Sequence, residues 1–382
     1  MERTITWYIT IMLIITVLTG IIDIPYSTPL LIAMGIVCYL FRLLSLRQNE
    51  VIDVITMFLL FVIAVLSAAV NYGGYGTAIA CVYGILISSI CRRVVFGKIQ
   101  FISILTFCFF AYLYWMVKSP TAYDVFIDAR SWDSRYEVVM NANIIGMLIS
   151  YTSILFFCFS RLSNNKYINY LSWVMIVSGI WGIYNTKSRM ALAITFLFIL
   201  VELIFKIKNI KKINILKSLL CLGISMEIIF PFIYLFMYQI GFATDYIFAD
   251  AEGKGLYSGR QKIWGLAFDN INSFSDWLIG IGSYHDFWEG HDTLNMHNNF
   301  MNLLVVTGLL GVFVYYSYII KCFRDTVKRY NLSEFQCLML LFFSCVIFEG
   351  ATDVTLFYTV FAPFVYIPFG LALNPQYSKF RV

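Results

Sequence analysis

Charge is scarce in this chain, and histidine is scarcer. Asp, Glu, Lys and Arg make up 13% of the 382 residues, while hydrophobic types reach 60%. That balance excludes an ordinary soluble globular domain, where about a quarter of the residues are charged. There is no Cys-x-x-Cys pair, and the nine cysteines fall within apolar runs or at their ends. Neither a structural zinc site nor a disulfide framework is expected from such a pattern. No internal repeat, low-complexity tract or separate soluble domain is visible. Histidine occurs only as His285, His291 and His297, all in one polar stretch. Their even spacing is not the His-Glu-x-x-His of a zinc helix, so a zinc site is possible but only weakly signalled, and no cofactor is expected.

What the chain does have is a series of apolar runs of membrane-crossing length. They lie near 5–22, 29–44, 51–70, 77–91, 99–117, 140–160, 167–185, 189–205, 214–240, 299–320, 333–348 and 355–373. The pattern predicts an all-α, polytopic integral membrane protein, a single transmembrane domain over 1–382 with about twelve spans. No small-x-small cleavage pattern follows the first run, which is therefore read as retained. Basic residues set the orientation. With both termini in the cytoplasm, most of the 27 Lys and Arg fall on the inner side. Only Lys118, Arg130, Arg135, Lys187, Arg189, Lys254, Arg260 and Lys262 are left outside. The net charge of +5 then reflects topology and contact with anionic membrane lipids rather than nucleic-acid binding.

Two outer loops are long, and long loops are where function tends to sit. One spans about 118–139 and mixes acids with bases. The other is a large external loop over 241–298, between spans nine and ten. Within it, Ser258-Gly259-Arg260 reads as a helix start with Ser258 as N-cap. The apolar stripe that follows, with Ile263, Trp264, Ala267, Phe268 and Ile271, suits a helix lying on the bilayer surface. Gly280-Ile281-Gly282 ends it. The run from Ser283 to Asp292, with Trp288 among its rings, acids and imidazoles, suits either carbohydrate binding or an interfacial aromatic belt.

Arg189 opens the eighth span at its outer end. The helix dipole disfavours a cation there, so either an anionic partner holds it or it snorkels to the interface. Exposed helix N–H groups and a guanidinium can grip one phosphate together. Arg260 and Lys262 lie on the same side, and two arginines suit a diphosphate; a solvated basic patch is the plainer alternative. His297, at the mouth of the tenth span, can take a proton from a hydroxyl or simply hydrogen-bond to backbone. Asn298 and Asn299 beside it can orient the ring or bind sugar, and Asn141 and Asn143 open the sixth span on the same side. Glu227, four residues before Pro231, is an intramembrane carboxylate, which suggests function by default, including ion coupling in a transporter.

Three patches together resemble a known family. They are Asn185-Thr186-Lys187-Ser188-Arg189-Met190-Ala191, Ser258-Gly259-Arg260 with Trp264 after it, and His297-Asn298-Asn299-Phe300 followed by Thr307-Gly308-Leu309-Leu310-Gly311. With Gly280-Ile281-Gly282 and Asn141-Ala142-Asn143-Ile144-Ile145-Gly146, they are similar to the superfamily of O-antigen polymerases and O-antigen ligases over roughly 140–320. Thr307 stands where many relatives carry an acidic residue. The resemblance implies a membrane-embedded, GT-C-like glycosyltransferase that needs no metal, in the bacterial cytoplasmic membrane. Its donor is a glycan on undecaprenyl diphosphate at the outer face. It also implies catalytic roles for His297, Arg260 and Arg189, with substrate contacts from Lys187, Lys262, Asn298, Asn143 and Trp288. A polymerase of O-antigen or capsule repeat units is expected, working with a flippase and a chain-length regulator. A ligase to lipid A core, or a non-enzymatic flippase, are the alternatives.

Overall fold

The computed structural model describes residues 2–19, 27–43, 50–71, 76–129, 142–208, 210–241, 260–282, 296–329, 331–353, 355–356 and 362–379. Every regular element among them is helical. Nine helices come first: α1 (Glu2–Thr19), α2 (Ser27–Leu43), α3 (Val51–Asn71), α4 (Gly76–Cys91), α5 (Lys98–Ala129), α6 (Ala142–Ser160), α7 (Lys166–Asn185), α8 (Arg189–Ile204) and α9 (Lys212–Gln239). Two short helices in the long loop follow, α10 (Arg260–Asn270) and α11 (Phe274–Ile279). The chain then runs through α12 (Asn299–Arg329), α13 (Glu334–Glu349) and α14 (Ala362–Ala372). Apart from α10 and α11, each helix overlies one of the apolar runs read from the sequence. Among the described residues, five stretches are long and apolar enough to cross a membrane: Val51–Val70, Lys98–Pro120, Ala142–Ser160, Lys212–Gln239 and Asn299–Lys328. The chain is a polytopic helical membrane protein.

Three helices form the centre. α6, α13 and α14 are buried around nearly their whole circumference, the mark of a helix with no solvent or lipid face. α13 packs on α6, α8, α9 and α14, and α14 packs on α4. Outer helices keep large apolar side chains such as Phe58, Phe110 and Trp181 exposed, as a lipid-facing surface requires. At the end of the bundle read as cytoplasmic, two arginines of the basic belt are tied down. Arg92 meets Asp53 at 3.1 Å, and Arg93 pairs with Glu50. Both acids are almost fully buried, so these pairs fix helix ends rather than present charge to lipid.

The tenth span departs from expectation. The apolar run 299–320 predicts one continuous helix, but α12 is two helices joined at Gly308, whose φ of 63° and ψ of −169° are far from helical. The two parts fold back on each other. Asn299 donates to one oxygen of the Glu227 carboxylate and Tyr316 donates to the other. A straight helix would hold those two residues about 25 Å apart, too far to share one carboxylate. The part after Gly308 is about 31 Å long and can cross the bilayer alone. The part before it is a half-helix that dips back into the protein. Such irregular backbone survives at membrane depth only when protein surrounds it.

α10 also corrects a reading. Its apolar face does not lie on a bilayer surface. Trp264, Ala267 and Ile271 are buried, and α10 packs on α9.

Candidate active site

The site is built at the start of the half-helix. The Asn298 side-chain oxygen accepts from the backbone N–H of Met301 at 2.7 Å, closing the first turn as a helix cap does. Its amide nitrogen donates to the carbonyls of Ala351 (2.9 Å) and Glu227 (3.0 Å). The second carbonyl is available for a local reason. Pro231 has no N–H, so the residue four before it in α9 loses its helical partner, and that residue is Glu227. Asn299 works in parallel. Its backbone N–H donates to Gly350 at 2.9 Å, and its side-chain oxygen accepts from the N–H of Thr355 at 2.9 Å. Its amide donates to Glu227 Oε1 at 2.6 Å and to Thr355 Oγ1 at 3.0 Å. A side chain at Gly350 would collide with both Asn299 and Glu227, so this turn needs glycine for close approach.

Between these anchors and Met296 stands His297, with a φ of 47°. Left-handed backbone is uncommon for a residue other than glycine and survives where its surroundings enforce it. Its Nδ1 lies 3.5 Å from Asp353 Oδ1, with the imidazole 38% and the carboxylate 31% exposed. The ring is therefore both accessible and held by an acid. Asp353 follows the end of α13, where its N–H bonds to the Glu349 carbonyl at 3.2 Å. The Glu349 carboxylate accepts from Tyr151 of α6 at 2.7 Å. Asp353 is a site residue that the sequence did not single out. Its only signal was the polar interruption Glu349-Gly350-Ala351-Thr352-Asp353 between two apolar runs. Asn298, expected on the substrate side, lies elsewhere. It is fully buried and its amide is committed to backbone, so it holds the imidazole's turn in place.

Arg260 reaches this turn through Trp264, one helical turn further on. The fully buried indole donates from Nε1 to the carbonyl of Met296 at 2.6 Å. Its ring packs 5.2 Å from Tyr234 and 6.1 Å from Phe230 on α9. The head of α10 is thereby pinned beside the backbone of His297. The Arg260 side chain is partly buried, and among the described residues its Nε–H finds no hydrogen-bond acceptor. A bound anion would satisfy that donor. Lys262 occupies the third position of α10. Replacing Trp264 by Phe keeps an aromatic side chain but removes the pyrrole half of the indole and with it the bond to Met296. The expected cost is about 1 kcal/mol of stability, read by thermal unfolding, with a larger fall in activity because His297 loses its link to Arg260.

Arg189 is the first residue of α8 and is exposed, with Ser188 as N-cap. The preceding turn carries Lys187 at a φ of 57°, its ammonium 5.8 Å from the Tyr184 ring centroid. Thr186 and Ser188 are buried beneath it. They rest on Gly146 of α6, where an added methyl would come within 2.6 Å of Thr186 Oγ1. Half-buried Asn143 sits one turn before Gly146. The asparagine and serine-arginine motifs are thus one packed unit. α6 joins this unit to the His297 side, because Tyr151, about 12 Å beyond Asn143 along the same helix, holds the Glu349–Asp353 turn. Trp288, His285 and His291 lie outside the described residues.

Residues 174–316 match the family model described as O-antigen ligase. That stretch of the chain is an O-antigen ligase-family domain. The resemblance to the O-antigen polymerase and ligase superfamily holds there, and with it a glycosyltransferase-like, polymerase- or ligase-type function. No curated protein matches the chain. The O-antigen ligase-family domain includes Lys187, Arg189, Arg260, Lys262 and His297; Asn143 and Asp353 lie outside the matched residues.

Two glycine elements of the domain interlock behind the site. Gly280 has a φ of 81° and a ψ of 173°, and Gly308 is similar, a region open essentially to glycine alone. A methyl on Gly280 would come within 2.6 Å of the Thr307 nitrogen, and one on Gly308 would strike the backbone of Leu278 and Gly280. The break in α12 frees carbonyls, and they are used. Val305 accepts from the N–H of Ile281 at 2.7 Å, and Val306 accepts from Ser67 of α3 at 2.9 Å.

Proposed function

We propose that this protein polymerises a bacterial surface polysaccharide, O-antigen or capsule, at the outer face of the cytoplasmic membrane. Its substrates are repeat units carried on undecaprenyl diphosphate. A hydroxyl of one unit attacks the anomeric carbon of another. The hydroxyl proton passes to His297 as the glycosidic bond forms. The bond to the diphosphate breaks, its electron pair stays on the phosphate oxygen, and undecaprenyl diphosphate leaves. Arg260 and Arg189 neutralise that leaving group, supplying charge that a divalent cation would otherwise bring. Lys187, Lys262, Asn143 and Trp288 are assigned to diphosphate and glycan contacts. The chain spans the membrane with both termini in the cytoplasm, fed by a flippase and limited by a chain-length regulator.

The observation that carries this reading is the imidazole of His297 beside Asp353, on a turn bonded to the helix that begins at Arg260. Acid–base work on a hydroxyl needs such a poised ring. A ligase acting on lipid A core is the second reading, favoured by the description of the matching family. The test uses purified protein with EDTA and the lipid-linked oligosaccharide extracted from source cells deleted for this chain. A ladder of lengthening glycans supports a metal-independent polymerase. Transfer only when lipid A core is added makes it a ligase. No transfer under either condition sinks the glycosyltransferase reading.

A further inference from the structure

Glu227 is fully buried midway along α9, and the transfer chemistry above gives it no role. As an intramembrane acid it invites the reading of a proton- or ion-coupling group. Its surroundings indicate something else. Its partners are two amides and a phenol: Asn299 on Oε1, Tyr316 on Oε2, and Asn298 on its backbone carbonyl. Asn298 and Asn299 follow His297 directly, whereas Tyr316 lies on the far side of the break at Gly308. One residue therefore ties both limbs of the folded-back α12 to α9, at the turn that carries the imidazole.

We propose that Glu227 is a positioning residue, a clamp that sets the place of His297 through the start of the half-helix. The proposal rests on the transferase reading and deepens it. Each part of the residue has a task. Two donors converge on the side chain, and a carboxylate offers an acceptor oxygen to each. The carbonyl is free because Pro231 cannot donate to it. Gly350 leaves the room that Asn299 and the carboxylate occupy.

Geometry and charge are separable here. Glutamine can keep both contacts, its oxygen accepting from Asn299 and its amide donating to the Tyr316 oxygen, since a phenol both gives and takes hydrogen bonds. Glu227→Gln should therefore preserve the clamp, whereas a coupling carboxylate would be abolished by it.

The test reads His297 without needing the reaction. Full-length protein in nanodiscs is treated with diethyl pyrocarbonate, and carbethoxylation of His285, His291 and His297 is followed separately by peptide mass spectrometry. Asp53→Ala breaks a buried ion pair at the opposite end of the bundle and serves as the control for general loss of stability. Glu227→Ala should raise the His297 labelling rate several-fold relative to the other two histidines, Glu227→Gln should leave it near wild type, and Asp53→Ala should not change the ratio. With the lipid-linked oligosaccharide extracted from deleted cells, Glu227→Ala should lower kcat by on the order of 100-fold with little change in KM. Tyr316→Phe, which removes one donor, should show a smaller change in the same direction, and it stands in if Glu227→Ala cannot be purified. An unchanged labelling ratio in Glu227→Ala and Tyr316→Phe overturns the clamp, as does Glu227→Gln behaving like Glu227→Ala. If labelling responds as expected but the wild type transfers no sugar, the transferase reading fails while the clamp stands.

Discussion

His297→Ala should stop glycosyl transfer and leave the protein folded. A positioned general base contributes on the order of 10²- to 10⁴-fold, and a loss of that size is expected in kcat. Binding of the lipid-linked donor should persist, because the diphosphate is assigned to the arginines. Stability should change little. The imidazole is 38% exposed, so its removal leaves no deep cavity, and the bonds that hold the turn belong to Met296, Asn298 and Asn299. Replacing histidine at a φ of 47° by asparagine suits the backbone better than alanine, since asparagine tolerates the left-handed region. His297→Asn should therefore be at least as stable as His297→Ala and equally inactive. Asp353→Asn should lose activity to a smaller degree, because it keeps a side chain beside the ring but removes the carboxylate that holds it. Initial rates at saturating donor, alongside thermal unfolding, check all three. A His297→Ala enzyme with more than a tenth of wild-type kcat would remove the imidazole from the chemistry.

The second large effect is on stability. Gly308→Ala and Gly280→Ala should each destabilise the protein severely. Forcing alanine into their backbone conformation costs about 1–3 kcal/mol, and the clash with backbone on the opposite segment adds about 1–3 kcal/mol of overpacking. The blocking atoms are main-chain atoms of Thr307 in one case and of Leu278 and Gly280 in the other, which cannot rotate away as a side chain can. A change of about 2–6 kcal/mol is a large share of a typical folding free energy. Gly265 is the control. It lies inside α10, and among the described residues nothing outside its own helical turn comes within 4 Å of an added methyl, so Gly265→Ala should be neutral or stabilising by up to about 1 kcal/mol. Thermal unfolding in detergent separates the two classes. Equal melting temperatures for Gly308→Ala, Gly280→Ala and Gly265→Ala would show that the interlock carries no weight.

Much of this architecture was legible in the sequence, for identifiable reasons. Apolar runs mark helices because lipid leaves the backbone no other hydrogen-bond partner, and every run overlies helix here, the run 299–320 with a break at Gly308. The start of α8 at Arg189 was readable from the polar turn before it. The family motifs were readable as short strings, but their physical tasks were not. Gly308 sits in Gly-Leu-Leu-Gly, and glycine is common enough in membrane helices that the run 299–320 reads as unbroken. The fold-back shows only in tertiary contacts, those of Gly308 with Gly280 and of Asn299 and Tyr316 with Glu227. The pairing of Glu227 with Asn299 and Tyr316, or of His297 with Asp353, joins residues far apart in sequence, and no local periodicity encodes it. The hydrophobic face of α10 was visible, but whether it meets lipid or α9 is decided by tertiary packing. Pro231 is the intermediate case. That it frees the Glu227 carbonyl follows from the sequence; that Asn298 takes it does not.

The central claim is that Arg189 and Arg260, on separate helices, serve one diphosphate beside His297. The most direct measurement is binding of undecaprenyl diphosphate to purified protein in nanodiscs, for wild type, Arg189→Ala, Arg260→Ala and His297→Ala, across a range of salt. The predicted result is saturable, salt-sensitive binding that each arginine variant weakens at least tenfold and His297→Ala leaves intact. Binding that survives both arginine substitutions unchanged would contradict it and move the diphosphate elsewhere on the protein.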